Sequence, residues 1–281
     1  MSRFLVLVNP ASHGGRSNRR WKRLAELLPE GDFVVLSSVE EARERARTAT
    51  GYETVVACGG DGTVRAVAEG VLENADDRLK LGVLYAGTSP DFCHAQGIPT
   101  KPADAIRLLR GGTFRELPVL TANGRPFLCS LNLGVGAAVA AAANRLRPTL
   151  GDGLGTFIAL VGSLLRAGEY DLALNGEQAG PFLHVLVTRI APIAGGLRLA
   201  LPKLTDDEFA VWSVRRPGVL GWPRLLWRLY RGKPYGAFRV VHGSLRLDAA
   251  ETLPVEYDGD PHGALPVEIR FAARRLKVVC P

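Results

Sequence analysis

The sequence predicts two domains: an α/β domain built on an open parallel sheet, then an antiparallel β-sandwich. Three observations predict this. Up to about residue 115, short apolar runs rich in β-branched residues alternate with helical patterns, which argues for parallel strands joined by helices. Three of those runs lead into glycine-bearing loops, at 9–15, 59–63 and 87–91. In open α/β sheets ligands bind where strand C-termini meet loops, so the agreement of three loops points to one site. After Pro118 the texture changes to short strands separated by Gly, Pro, Asn and Asp, as in a sandwich or open barrel. The expected domains are 1–118 and 119–281.

In order, Phe4–Val8 reads as a buried strand ending in the polar loop Asn9-Pro10-Ala11-Ser12-His13-Gly14-Gly15-Arg16. A helix follows with Trp21, Leu24, Ala25, Leu27 and Leu28 on its apolar face. Phe33–Leu36 is a strand, and Ser37 or Ser38 caps a helix from Val39, with Glu40 and Glu41 in its first turn. Glu53–Cys58 is a buried strand, and Gly59-Gly60-Asp61-Gly62-Thr63 turns it into a helix from about Thr63. Leu81–Leu84 is a strand, and Ala103–Arg110 a helix closed by Gly111-Gly112. The second half reads as strands at Val119–Thr121, Phe127–Leu133, His184–Thr188, Phe209–Val214, Phe238–His242, Leu245–Leu247, Pro254–Tyr257, Val267–Phe271 and Arg275–Val279. Helical patches fall at 136–146 with 154–167, and at 222–231.

The 281 residues are 47% hydrophobic, enough for a sizeable core, and the net charge of +7 favours an anionic partner. No long basic block points to nucleic acid. The four cysteines show no CxxC pair and no zinc spacing, as expected of thiols in a reducing cytosol. The run Leu154 to Leu165 falls short of the ~20 residues a membrane span needs. The expected location is the cytoplasm, with transient contact at the inner membrane face.

Gly59 to Thr63 carries the chemistry. Glycines let backbone N–H groups converge without Cβ interference, and the following helix dipole adds positive potential. Asp61 fits such an anion cradle when Mg²⁺ or a phosphoryl-bearing nucleotide lies beside it. The plain alternative is a tight turn, since Gly-Gly and Asp-Gly are common turn dipeptides. No GxxxxGK[ST] is present, so the cradle is not a Walker-type loop. Arg16, Arg65 and Lys101 lie near the loops, with surface charge as their default reading. Asp258-Gly259 is a favoured hairpin signal on local grounds.

Asn9-Pro10 with Gly14-Gly15, then Gly59-Gly60-Asp61-Gly62-Thr63, then Gly87-Thr88 followed by Asp91-Phe92, resembles the diacylglycerol kinase catalytic-domain family. More narrowly, the chain is similar to the soluble bacterial lipid kinases related to diacylglycerol and sphingosine kinases. The resemblance continues through Gly195 to Pro202, Asp206-Asp207 and Asp258-Gly259-Asp260, and so spans almost the whole chain. It implies a two-domain kinase with its active site in the cleft, transferring the γ-phosphoryl group of ATP to a lipid hydroxyl with Mg²⁺, diacylglycerol first. By position, Asn9, Pro10, Ala11, Ser12, His13 and Gly14, with Gly59, Gly60, Asp61, Gly62, Thr63, Val64, Arg65 and Thr88, would hold ATP. Ser37 stands where the family usually has a threonine near the nucleotide. The family's Asp-Gly-Glu falls on Asp258-Gly259-Asp260, so Asp258 or Asp260 would accept the hydroxyl proton, and Asp61 would orient the metal. A structural Mg²⁺ is expected near Asp206 and Asp207.

Departures from the family pattern are Ser89-Pro90 for Gly-Asn, Arg65-Ala66 for Asn-Glu, Asp260 for Glu and Glu208 for Gly. They bear on nucleotide affinity, base geometry and the structural metal. NAD kinase, which shares GGDGT, is one alternative; a catalytically weakened nucleotide- or lipid-binding protein is another. Gly134-Val135-Gly136 opens like a dinucleotide fingerprint, but Val139 stands at the third glycine, so close packing is expected. The five histidines show no paired metal spacing. In 222–233, Arg224, Arg228 and Arg231 form one cationic stripe beside Trp222, as on an interfacial membrane helix or on an amphipathic helix packed against the sandwich.

Overall fold

The computed structural model describes residues 3–12, 17–151, 154–155, 158–159, 162–163, 168–193, 197–218, 221–233 and 235–281. The chain divides into two compact units, 1–119 with 272–281, and 120–271.

The first unit runs β1 (Phe4–Val8), α1 (Ser17–Leu27), β2 (Gly31–Val35), α2 (Val39–Arg47), β3 (Thr54–Gly59), α3 (Asp61–Glu73), β4 (Lys80–Tyr85), α4 (Asp91–Gln96), α5 (Pro102–Gly111) and β5 (Phe114–Leu117). Strands β2, β1, β3 and β4 lie side by side, all parallel. Every residue of β1 and β3 is buried, which is why both read as unbroken apolar runs. One face of the sheet packs Phe4, Val6, Val56 and Leu84 against Leu24 and Leu28 near α1 and Ile106 and Leu109 of α5. Ser38 caps α2, its hydroxyl accepting the Glu41 N–H at 3.1 Å. Helices α2 and α3 touch at Gly70, where a Cβ would come within 2.6 Å of the Ala46 Cβ.

The second unit comprises β6 (Leu120–Ala122), β7 (Arg125–Phe127), β8 (Ser130–Gly134), α6 (Val135–Leu150), β9 (Tyr170–Leu174), β10 (Glu177–Phe182), β11 (His184–Thr188), β12 (Pro192–Ile193), β13 (Leu197–Arg198), β14 (Glu208–Val214), α7 (Gly221–Tyr230), β15 (Ala237–His242), β16 (Ser244–Ala249), β17 (Pro254–Tyr257), β18 (Asp260–Ala264) and β19 (Val267–Phe271). Two six-stranded antiparallel sheets, β10-β9-β16-β19-β6-β7 and β15-β14-β11-β8-β17-β18, form the expected sandwich. Their inner faces meet through Leu131, Leu133, Val187, Phe209, Leu247, Val255, Tyr257 and Ile269. Helix α7 packs Leu225 on the outer face of the second sheet, with Leu186, Trp212 and Val214. The glycine pair flanking the first residue of α6 is a close-packing device: a Cβ on Gly136 would collide with the His184 ring.

The structure adds α4, β5, β12, β13 and β18 to the expected elements and departs from them in three further places. The span Phe127–Leu133 is not one strand; β7 ends at Phe127 and β8 begins at Ser130. The β9–β10 hairpin is absent from the expected elements; Asn175-Gly176, both at positive φ, is a strong hairpin turn. Most consequential is the last strand, β20 (Leu276–Val279), which was expected in 119–281. It joins the first sheet instead, parallel to β4 and antiparallel to β5, giving the order β2-β1-β3-β4-β20-β5. Leu276, Val278 and Val279 are buried there, and pairing removes what would otherwise be an open edge at β4.

Candidate functional site

In the first unit, the loops after β1, β3 and β4 are tied together at the C-terminal ends of their strands. The Asn9 N–H donates to Cys58 O at 2.9 Å, and the Ala86 N–H to Gly59 O at 2.7 Å. The Asn9 side chain uses both ends: Nδ2 donates to Thr63 Oγ1 at 2.9 Å, and Oδ1 accepts the Ala11 N–H at 3.0 Å. Ser12 Oγ accepts the Gly60 N–H at 3.3 Å. A Cβ on Gly87 would lie 2.7 Å from Gly60 Cα and 2.5 Å from Tyr85 Oη, so two glycines let the second and third loops meet. His13 and Gly14 lie outside the described residues.

The glycine segment is a strand-to-helix junction rather than a turn between strands. Gly60 is extended and caps α3 without a side chain, and the helix starts at Asp61, two residues earlier than expected. The first helical bond runs from the Val64 N–H to Gly60 O at 3.0 Å. The amides of Asp61, Gly62 and Thr63 therefore have no helical acceptor, which is the requirement for an anion site. Asp61 Oδ2 accepts the Tyr85 hydroxyl at 2.6 Å. Burial, then the Asp61 charge, pushes the Tyr85 hydroxyl far above its usual range, so it is a fixed donor. The same two causes push the Cys93 thiol up to about 12.

Three residues expected to contact ATP are engaged within the protein. Val64 is buried in the core and its N–H is spent within α3. Arg65 is not a surface charge: it is buried, 4.0 Å from Glu69, and after the local backbone and Ser38 hydrogen bonds its charge also helps lower the Glu40 carboxyl, which places it toward α2. The Ser37 hydroxyl donates to Glu41 Oε2 at 2.7 Å, which commits it to the start of α2. Thr88 is exposed beyond β4.

In the second unit, Asp258-Gly259 forms the turn between β17 and β18, with both residues at positive φ. The Asp258 carboxylate accepts three backbone N–H groups, from Leu128 at 2.7 Å, Cys129 at 2.7 Å and Ser130 at 3.2 Å. It clamps the loop between β7 and β8. Asp260, half-buried, opens β18. Two residues before the turn is a group the sequence reading missed. Glu256 is buried and bonded to Asn132 Nδ2 at 2.6 Å and to the Gly259 N–H, and burial, the largest cause, pushes its carboxyl up to about 8. A charged residue inside the buried run Pro254–Tyr257 was the available signal.

Among the described residues no three His, Cys, Asp or Glu side chains gather into a metal-binding group. Asp207 Oδ1 accepts the Thr205 hydroxyl at 2.6 Å, and Glu208, standing at the family's glycine position, accepts the Thr205 N–H at 2.7 Å and sits 3.1 Å from His242.

Residues 3–122 match the diacylglycerol kinase catalytic domain. A Pseudomonas fluorescens protein named "Probable lipid kinase YegS-like" is 34% identical over 286 residues, covering 95% of this chain and 87% of the relative. The chain belongs to the diacylglycerol kinase-like lipid kinase family. This lipid kinase is also 26% identical to the "Diacylglycerol kinase" of Bacillus subtilis, over 100% of the chain and 97% of the relative. A diacylglycerol kinase structure from Bacillus anthracis shares the fold, with TM-score 0.77 at 18% identity and 100% and 97% of the two chains covered. Among the described residues, no helix is long and apolar enough to cross a membrane.

Proposed function

We propose that this lipid kinase transfers the γ-phosphoryl group of ATP to the hydroxyl of diacylglycerol, giving phosphatidic acid. The observation that carries the reading is the meeting of three strand-end loops around the uncapped N-terminus of α3, bound together by Asn9, Ser12 and the Gly60–Gly87 approach. Phosphoryl transfer asks a protein chiefly for positioning and charge. The amides of 61–63 would take phosphate oxygens. The lipid oxygen forms a bond to the γ-phosphorus, the bond to the β–γ bridging oxygen breaks, and the hydroxyl proton passes to a carboxylate.

Between the two aspartates at the hairpin, Asp260 is the better proton acceptor, because Asp258 already serves three amides. Mg²⁺, when bound, neutralises triphosphate charge. Asp61 and Asp91 are the two carboxylates among the described residues of the loops, so most of the ion's ligands would be phosphate oxygens and water, as Mg²⁺ prefers. Helix α7 supplies a membrane contact: Trp227 is 48% exposed, with Arg231 and Lys233 at 5.6 and 5.1 Å from its ring centroid. This reading places the enzyme in the cytoplasm, visiting the inner membrane face.

The test is incubation with γ-labelled ATP, Mg²⁺, a panel of lipids bearing free hydroxyls, and NAD. Label in diacylglycerol supports the proposal. Label in another lipid keeps the kinase and changes the substrate, an outcome that the YegS-like relatives make worth including. Label only in NAD overturns the lipid assignment, and nucleotide binding without any product supports a weakened binding protein.

A further inference from the structure

Glu256 is a carboxyl group in a place that ordinarily excludes one. It lies in β17, between β8 and β18, and is 4% exposed. Its neighbours Val255 and Tyr257 point into the sandwich core, so Glu256 points to the opposite face, where α6 packs against β8, β17 and β18. Its two oxygens have distinct partners. Oε1 accepts the Gly259 N–H. Oε2 lies 2.6 Å from the Asn132 amide, and that same amide atom is 3.1 Å from Ser130 Oγ.

The 2.6 Å contact is short for N–H···O, which runs about 2.7–3.2 Å, and ordinary for O–H···O, at about 2.5–3.0 Å. Exchanging the two ends of the Asn132 amide, which heavy-atom positions do not distinguish, lets its oxygen accept both the Glu256 acid proton and the Ser130 hydroxyl. The short contact and the Ser130 contact then both have a donor facing an acceptor.

The charges around Glu256 agree. Asp258 and Asp260, on its own hairpin, both oppose its ionisation. Strand β8 presents the neutral Ser130 and Asn132. Strand β18 adds His262, stacked 3.7 Å from the Tyr257 ring. The charged residues of α6 are Arg145 and Arg147, of which Arg145 is exposed. His184 on β11 is pushed down to about 4 by burial, and so is neutral.

We propose that Glu256 is a positioning residue: held as the neutral acid, it donates to Asn132, accepts from Gly259, and thereby sets the turn that presents Asp260. This rests on the reading of Asp260 as proton acceptor. The turn is the means of transmission. Asp258 and Gly259 are both left-handed, Asp258 is pinned to the 128–130 loop, and Gly259 is pinned to Glu256. Ionising Glu256 removes the donor to Asn132 and places a third negative charge beside two aspartates. The hairpin is then pulled out of register with its anchor.

The test has two arms on the full chain. In the first, ¹³C-carboxyl glutamate and amide resonances are followed against pH. One glutamate carboxyl is expected to titrate near 8, the Gly259 and Asp260 amides to move with the same midpoint, and all three changes to vanish in Glu256→Gln. No glutamate titrating above about pH 6, or amides that stay still, would overturn the proposal whether or not the protein transfers phosphate. In the second arm, Glu256→Ala is expected to lower kcat on the order of 10- to 100-fold without changing the KM for ATP. Glu256→Gln, which keeps the donor and the acceptor, is expected to recover most of that loss at pH 7 and to remove the decline of wild-type kcat above pH 8. A glutamine variant as impaired as the alanine variant would sink the idea. A wild type that labels no lipid would instead sink the kinase reading, leaving the resonance arm to decide on Glu256.

Discussion

Asp61, Asp258 and Asp260 each stand next to a glycine, yet their surroundings set them to different tasks. Asp61 holds the Tyr85 hydroxyl at the start of α3, where a carboxylate meets the positive end of the helix. On the proposed reading, Asp61→Asn is expected to reduce turnover to background, because the substitution removes the charge that would face the metal–triphosphate; near-normal turnover in the labelled-ATP assay would remove Asp61 from the mechanism. Asp258 and Asp260 separate by a different measurement. Asp258→Asn loses part of a three-amide clamp, so it should lower stability by about 1–3 kcal/mol as well as slowing transfer. Asp260→Asn should slow transfer by more than any change in its melting temperature accounts for, and thermal melts of the two variants beside the transfer assay check the contrast. Glu256 adds a dependence on pH. Its folded carboxyl keeps a proton that the unfolded chain releases, so stability falls as pH rises from the ordinary 4.5 to about 8 and is level above that. The slope is at most about 1.4 kcal/mol per pH unit, and Glu256→Gln should abolish it in melts taken between pH 5 and 8.

At the scale of elements, the site in the first unit is a property of junctions. Strand β3 passes into α3 through one extended glycine, and β4 ends in a loop that touches it at Gly87. Gly87→Ala would press a methyl group against Gly60 and Tyr85, and the loops would have to separate. The expected result is a KM for ATP raised on the order of 10-fold, with little change in melting temperature because the contact lies outside the core. Helix α7 makes the complementary case, an element whose one face is buried at Leu225 while Trp227 stays in solvent. Trp227→Ala combined with Arg231→Glu should release the protein from anionic lipid vesicles in a sedimentation assay, while its activity on short-chain, water-soluble substrate is kept.

For the whole molecule, the chain leaves the first unit at residue 119, builds the sandwich, and returns for its last ten residues. Strand β20 covers the edge of β4 and carries β5 on its other side. Deleting 276–281 should therefore destabilise the first unit selectively, and limited proteolysis should cut within 1–119 before the sandwich. A deletion variant with an unaltered melt would show that β5 closes the sheet without it.

Most of the elements could be read from the chain because the forces that select them act over a few residues. Apolar runs such as Phe4–Val8 and Thr54–Gly59, the Ser38 cap, and the Asp-Gly turn at 258 are local statements, and they place the glycine junction at a strand end without any knowledge of neighbours. The Asn175-Gly176 hairpin belongs to the same class and is legible from its two residues. The partner of β20, the three amides on Asp258, the burial of Arg65 and the neutral acid at Glu256 were not. Each depends on residues far away in sequence: Leu81 for Val278, Leu128 for Asp258, Asn132 for Glu256. Strand pairing across such distances and the loss of water around a carboxyl are set by what the folded chain brings alongside, and no local pattern encodes them.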